Sequence, residues 1–193
     1  MFVNPTTFDY HRNLAINHCN GCFPFYEDDV ITDKERSKFI KGVERCIRSS
    51  VEYKRWIECI HTILGTGFVC YLDGLNALEC KIEIHHYPLG LYELVDIAFN
   101  HLGSTNSFQL AEYVMAWHYY NYVGFVPLSS TNHERFHNFT LNIPIDIVEG
   151  NWRYIKDNLS TEDPNFAKIK MLEDINHSNV PEKWHIQEKQ FLL

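Results

Sequence analysis

The residues best suited to chemistry in this chain are two histidine pairs. His133 and His137 stand four apart, so on a helix both rings leave from one face and can grip one ion. His85 and His86 are adjacent, and Pro88 follows them closely. Seven other histidines are scattered singly and are assigned no role. Imidazole suits both tasks a hydrolytic site needs. Fixed on a divalent ion it is a ligand; left uncoordinated, with a reference pKa near ~6.5, it takes a proton from water at neutral pH.

A second feature is a charge stripe. Residues 34–55 hold eight Lys/Arg against three Glu, a local net of +5 in a chain of net charge −8. Lys34, Lys38, Lys41, Arg45 and Arg48 recur at spacings of four and three, which places them on one helical face opposite Phe39, Val43, Cys46 and Ile47. A solvated surface is the plain explanation of such a stripe. Its other reading is a surface for a phosphate backbone, since such contacts need Lys/Arg on one face. Cys19 and Cys22 form a CxxC, two of the four ligands of a structural zinc site; His11 and His18 nearby could complete the set, but the plainer reading is a turn at Asn20-Gly21.

The elements that must position these residues follow from periodicity. Residues 1–32 read as an irregular arm. Asp33 is the expected N-cap of a helix to about Arg48, and a second helix spans about 51–64, closed by Gly65. Phe68–Leu72 and Cys80–His85 read as strands around an Asp73-Gly74 turn. In the second, Cys80, Ile82 and Ile84 face one side and Lys81, Glu83 and His85 the other. Helices are expected at about 90–102 and 107–120, an extended piece at 123–128, and a short helix at 131–138. Thr140–Ile145 reads as extended, with helices at 151–158 and 162–176. The predicted class is α+β: a helical N-terminal region (1–66), a core over 67–146 that includes the helices of 90–120, and a helical extension (147–193). A hydrophobic fraction of 45% supports a packed core. No apolar run nears the ~20 residues that span a bilayer, and the first residues lack the pattern of a secretory signal. The expectation is an intracellular protein with no membrane partner.

Ile84-His85-His86-Tyr87-Pro88-Leu89, followed by His133-Glu-Arg-Phe-His137, resembles the HNH, or ββα-metal (His-Me finger), endonuclease family, including its phage-encoded members. The resemblance covers about residues 80–140. It implies a ββα-metal core in which His85, His133 and His137 hold one divalent ion and His86 is the general base. Zinc, nickel or manganese suits this nitrogen set better than magnesium. It also implies hydrolysis of nucleic acid, DNA before RNA, with Arg135 as a further phosphate contact. From His86 to His133 is 47 residues, longer than in the family, so 90–120 reads as an insertion. The family's central Asn falls at Gly124, with Asn121 and Asn132 as the nearest substitutes.

Two other readings compete. His133-Glu134-Arg135-Phe136-His137 is literally H-E-x-x-H, the zinc metalloprotease motif with Glu134 as base; Glu149, Glu162, Asp163 or Glu173 would then supply a third ligand. Pro127 and Pro144 leave room for only a short helix, and a protease gives His85-His86 no task. The third reading is a non-catalytic, metal-stapled structural or virion-associated protein, in which all four histidines close around the ion.

Overall fold

The computed structural model describes residues 32–65, 68–103 and 106–176. The arm expected over 1–32, with Cys19 and Cys22, lies outside the described residues apart from Thr32. Among the described residues are seven α-helices and one two-stranded antiparallel sheet, an α+β architecture. No described helix is long and apolar enough to cross a membrane. The described residues divide into two compact units, one of residues 32–65, 89–103 and 106–123, the other of 68–88 and 124–176.

The first unit is helical: α1 (Asp33–Ser49), α2 (Val51–Leu64), α3 (Leu91–Leu102) and α4 (Ser107–Tyr119). The cap of α1 is Thr32, not Asp33. The Thr32 hydroxyl accepts from the Glu35 amide at 3.3 Å, and the Glu35 carboxylate accepts from the Thr32 amide at 3.0 Å. This reciprocal pairing satisfies two orphan donors, and Asp33 becomes the first helical residue, where its charge favours the helix dipole. Ile40, Val43, Cys46 and Ile47 form the buried stripe, with Phe39 half-buried against the edge of Phe99. Arg36 pairs with Asp96 and donates to Asn100, tying α1 to α3. The stretch 90–120, read from the sequence as an insertion, forms α3 and α4 and packs with α1 and α2. His118 is fully buried on α4. Its Nδ1 donates to the Val114 carbonyl at 2.7 Å and its ring meets Trp56 edge-on at 4.7 Å. Burial pulls its pKa down to about 4.

The second unit carries the sheet. Strand β1 (Ile82–His86) pairs antiparallel with β2 (Phe125–Ser129), in the register Ile82↔Ser129, Ile84↔Pro127 and His86↔Phe125. Helix α5 (Ser130–His137) follows β2 without a loop and packs on both strands. Ser129 caps it, its hydroxyl accepting from the Asn132 amide at 3.4 Å. The hairpin expected between 68–72 and 80–85 does not form. Gly74, at φ +78°, turns the chain so tightly that the Cys70 and Leu75 backbones bond each other, and only the Val69–Asn76 bridge results. The Tyr71 amide instead donates to the Pro127 carbonyl of β2. A backbone pair between Phe125 and Glu149 adds to β2. Residues 140–144 hold no strand; a 3₁₀ turn (Ile145–Ile147), α6 (Arg153–Asp157) and α7 (Pro164–Asn176) complete the unit. Ile145, Trp152, Ile155 and Ile169 are buried there.

Candidate metal centre

Strand parity and helix repeat converge at one place. On β1, Glu83 and His85 share one face. On α5, His133 and His137 share another. The ligand nitrogens of His85, His133 and His137 all lie within 4.8 Å of one another. His133 Nε2 and His137 Nε2 are 3.2 Å apart. Two nitrogens on one tetrahedral zinc at the usual bond length stand ~3.4 Å apart, so the helical pair is already at ligand spacing. The trio is graded in exposure, His85 buried, His133 half-buried and His137 exposed, so the group opens to solvent on the His137 side. Phe136 packs edge-on against His85, with ring centroids 4.6 Å apart, and gives the group an apolar wall.

A residue the sequence reading left without a role completes the group. Glu83 Oε2 lies 2.8 Å from His133 Nδ1, and Lys81 donates to the other oxygen of the same carboxylate. The Lys81 hydrogen bond holds the Glu83 carboxyl below its ordinary pKa against the opposing effect of burial, and His133 adds to the lowering. The signal was present in the strand: Glu83 has the parity of His85.

His86 behaves differently. β1 continues through it, paired with Phe125, so the ring leaves on the face opposite His85 and is buried at 6% exposure. It is not a member of the close group.

The Asn candidates separate as well. A Cβ at Gly124 would stand 2.1 Å from the Tyr87 carbonyl oxygen, so no side chain fits where the resemblance puts an Asn. Asn121 is exposed, at φ +60°, and belongs to the helical unit. Asn132 is buried. Its Nδ2 donates to Asp73 Oδ2 at 2.6 Å and contacts Cys70 Sγ at 3.4 Å, and its Oδ1 accepts from Arg135. Asp73 also accepts from the Ser129 hydroxyl at 3.0 Å. Asp73, expected only as a turn residue, thus anchors the first turn of α5 through two partners.

Glu134 is exposed on α5, whose eight residues fall short of the long helix expected for an HExxH protease. The third member of the group comes from a strand that precedes the motif. The downstream acids stand elsewhere: Glu149 accepts from the Tyr71 hydroxyl, and Glu173 pairs with Lys156 and Arg153. Glu162 and Asp163 are likewise outside the group. In the helical unit, Lys34, Lys38, Lys41, Arg45 and Arg48 are all exposed on α1, and Arg48 is paired with Glu44. Arg135 is exposed on α5.

Residues 9–192 match the profile of the bacteriophage G278-like virion protein family. The chain belongs to that family. The match runs through both units, so the histidine trio and the basic helix both lie within the matched residues. No curated protein and no solved structure matches the chain.

Proposed function

We propose that this phage virion-family protein is a metal-dependent nuclease with a ββα-metal core, hydrolysing phosphodiester bonds in nucleic acid. DNA is the substrate to test first. The observation that carries the reading is the meeting of His85, from the first strand, with His133 and His137, from the helix that directly follows the second strand. Three neutral nitrogens fit zinc, nickel or manganese and leave a coordination position open for substrate or water. A divalent ion held there would neutralise charge on a phosphodiester and on its departing oxygen.

The chain's own residues do the rest. His85 and Phe136 wall the inner side of the group, and the exposed His137 side admits an extended ligand. Arg135 is exposed on the same helix, two positions from each helical histidine, and its guanidinium donates to Asn132; in this reading it serves as a phosphate contact outside the trio. Lys34, Lys38 and Lys41 give the helical unit a cationic surface of the kind that contacts phosphates. As general base, His86 would have to turn toward the face it leaves in this structure, and its variant is therefore the sharpest arm of the test. Virion association would put the activity where phage nucleic acid is packaged or delivered.

The test is plasmid nicking with Mg, Mn, Ni and Zn by wild type, His137→Ala and His86→Ala, with bound metal measured for each. The expected result is nicking by wild type, loss of metal and nicking in His137→Ala, and loss of nicking with metal retained in His86→Ala. Metal bound without any nicking would support the staple instead. Casein cleavage abolished by Glu134→Gln, without nicking, would support the protease. A protein that binds none of the four ions overturns the metal reading altogether.

A further inference from the structure

We propose that Glu83 is the positioning residue of the metal group: its carboxylate accepts the Nδ1 proton of His133 and so presents the Nε2 lone pair of that ring to the ion. The inference deepens the metal reading above and rests on it. Three observations carry it. Glu83 Oε2 is 2.8 Å from His133 Nδ1, a hydrogen-bond distance. The opposite nitrogen of the same ring, Nε2, is the one that faces His137 Nε2 at 3.2 Å. The carboxylate is itself braced by Lys81 on its second oxygen.

A neutral imidazole carries one proton, so a partner that accepts at one nitrogen fixes the lone pair on the other. An ionised carboxylate can only accept. With Glu83 at Nδ1, His133 is therefore the Nδ1–H tautomer, and its Nε2 is the ligand atom. The carboxylate also fixes the plane of the ring and raises its basicity, as outer partners of metal-bound histidines do. The fold makes this economical. Glu83 and His85 are two apart on β1, so one strand face supplies both a ligand and the support for a ligand on α5. The same argument keeps Glu83 off the ion: its Oε2 is engaged at His133 Nδ1, the nitrogen opposite the one that faces His137, and its Oε1 at Lys81.

The experiment has a metal-free arm and a metal arm, on the full chain. In the first, long-range ¹H–¹⁵N correlation spectra of the apo protein at pH 8 report the tautomer of His133. Wild type is expected as Nδ1–H, and Glu83→Ala is expected to shift toward the Nε2–H form common in unconstrained imidazole. Glu83→Gln retains a carbonyl acceptor and is expected to keep the wild-type tautomer. In the second arm, zinc affinity is measured by competition with a chromophoric chelator, and the visible absorption of the cobalt-substituted protein reports ligand geometry. Glu83→Ala should weaken zinc by ~10–100-fold. It should also alter the cobalt spectrum, while Glu83→Gln recovers most of both.

An Nε2–H His133 in wild type overturns the proposal. So does a Glu83→Ala protein with wild-type tautomer and wild-type zinc affinity. If Glu83→Ala does not fold, the tautomer of wild type and of Glu83→Gln still decides. A wild type that shows the Nδ1–H tautomer but binds no metal would instead overturn the metal reading and leave the hydrogen bond as a packing contact. The two failures are thus separable.

Discussion

Gly124→Ala is the substitution whose effect the structure fixes most narrowly. The added methyl would stand 2.1 Å from the Tyr87 carbonyl oxygen, and 3.0 Å from both Trp152 Cβ and Val148 Cγ1. Ordinary carbon–oxygen contacts are no closer than ~3.3 Å, so the strands must part by about 1 Å. The nearest obstacle is backbone and cannot rotate away. Overpacking of this kind costs ~1–3 kcal/mol. The Tyr87 amide donates to the Gly124 carbonyl at 3.1 Å, and stretching that bond among buried neighbours adds about 1 kcal/mol. Restricting the unfolded chain returns ~0.4–1 kcal/mol. The net expectation is a loss of about 2–3 kcal/mol. Urea unfolding followed by tryptophan fluorescence and far-UV circular dichroism should show a lower midpoint at unchanged slope. Because Tyr87 adjoins His86 and follows β1, zinc affinity should fall too. A Gly124→Ala protein within ~0.5 kcal/mol of wild type would refute the close approach of these strands, and with it the reason no Asn stands there.

Three further outcomes are expected. His118, with its pKa held at about 4 by burial, takes a proton more readily in the unfolded chain, where the value is near ~6.5. Its contribution is therefore full above ~6.5 and is lost as pH falls toward 4, a loss of about 3 kcal/mol. Subtracting the stability–pH curve of His118→Leu from that of wild type should reveal this slope, and parallel curves would contradict it. Asn132→Ala removes the bond to Asp73 beneath the first turn of α5 and should cost ~1–3 kcal/mol. It should also weaken zinc in the same titration although no ligand is changed. Zinc at about 100 times its dissociation constant should stabilise the apo protein by ~2.7 kcal/mol. The accompanying rise in thermal midpoint should vanish with a chelator or in His137→Ala.

What the sequence made legible, and what it hid, follows from how far each feature depends on partners distant in the chain. His133 and His137 needed only the helical repeat, and α5 supplies it. The helices were readable because caps and apolar stripes are local; even the error at Asp33 was a shift of one residue to Thr32. The partner of β1 was not readable. Phe68–Leu72 and Val123–Leu128 both have extended character, and no alternation within β1 chooses between them. The choice is made by Gly74, which coils the nearer segment, and by Ser129 and Asn132, which tie the start of α5 to Asp73.

The candidate site divides along the same line. Parity on β1 sends Glu83 and His85 toward α5 and groups His86 with Ile82 and Ile84 on the other face. A ligand and its support two residues apart are what a strand positions best. A ligand and a base on adjacent residues are what it positions worst, unless the strand ends between them, and here pairing with Phe125 carries β1 through His86. The proposed metal binding and the proposed water activation would therefore rest on different features of the fold. The first needs only the register of β1 against β2 and the capping of α5. The second needs release of the final strand residue. The paired measurements on His137→Ala and His86→Ala separate them, since only the former should change how tightly the ion is held.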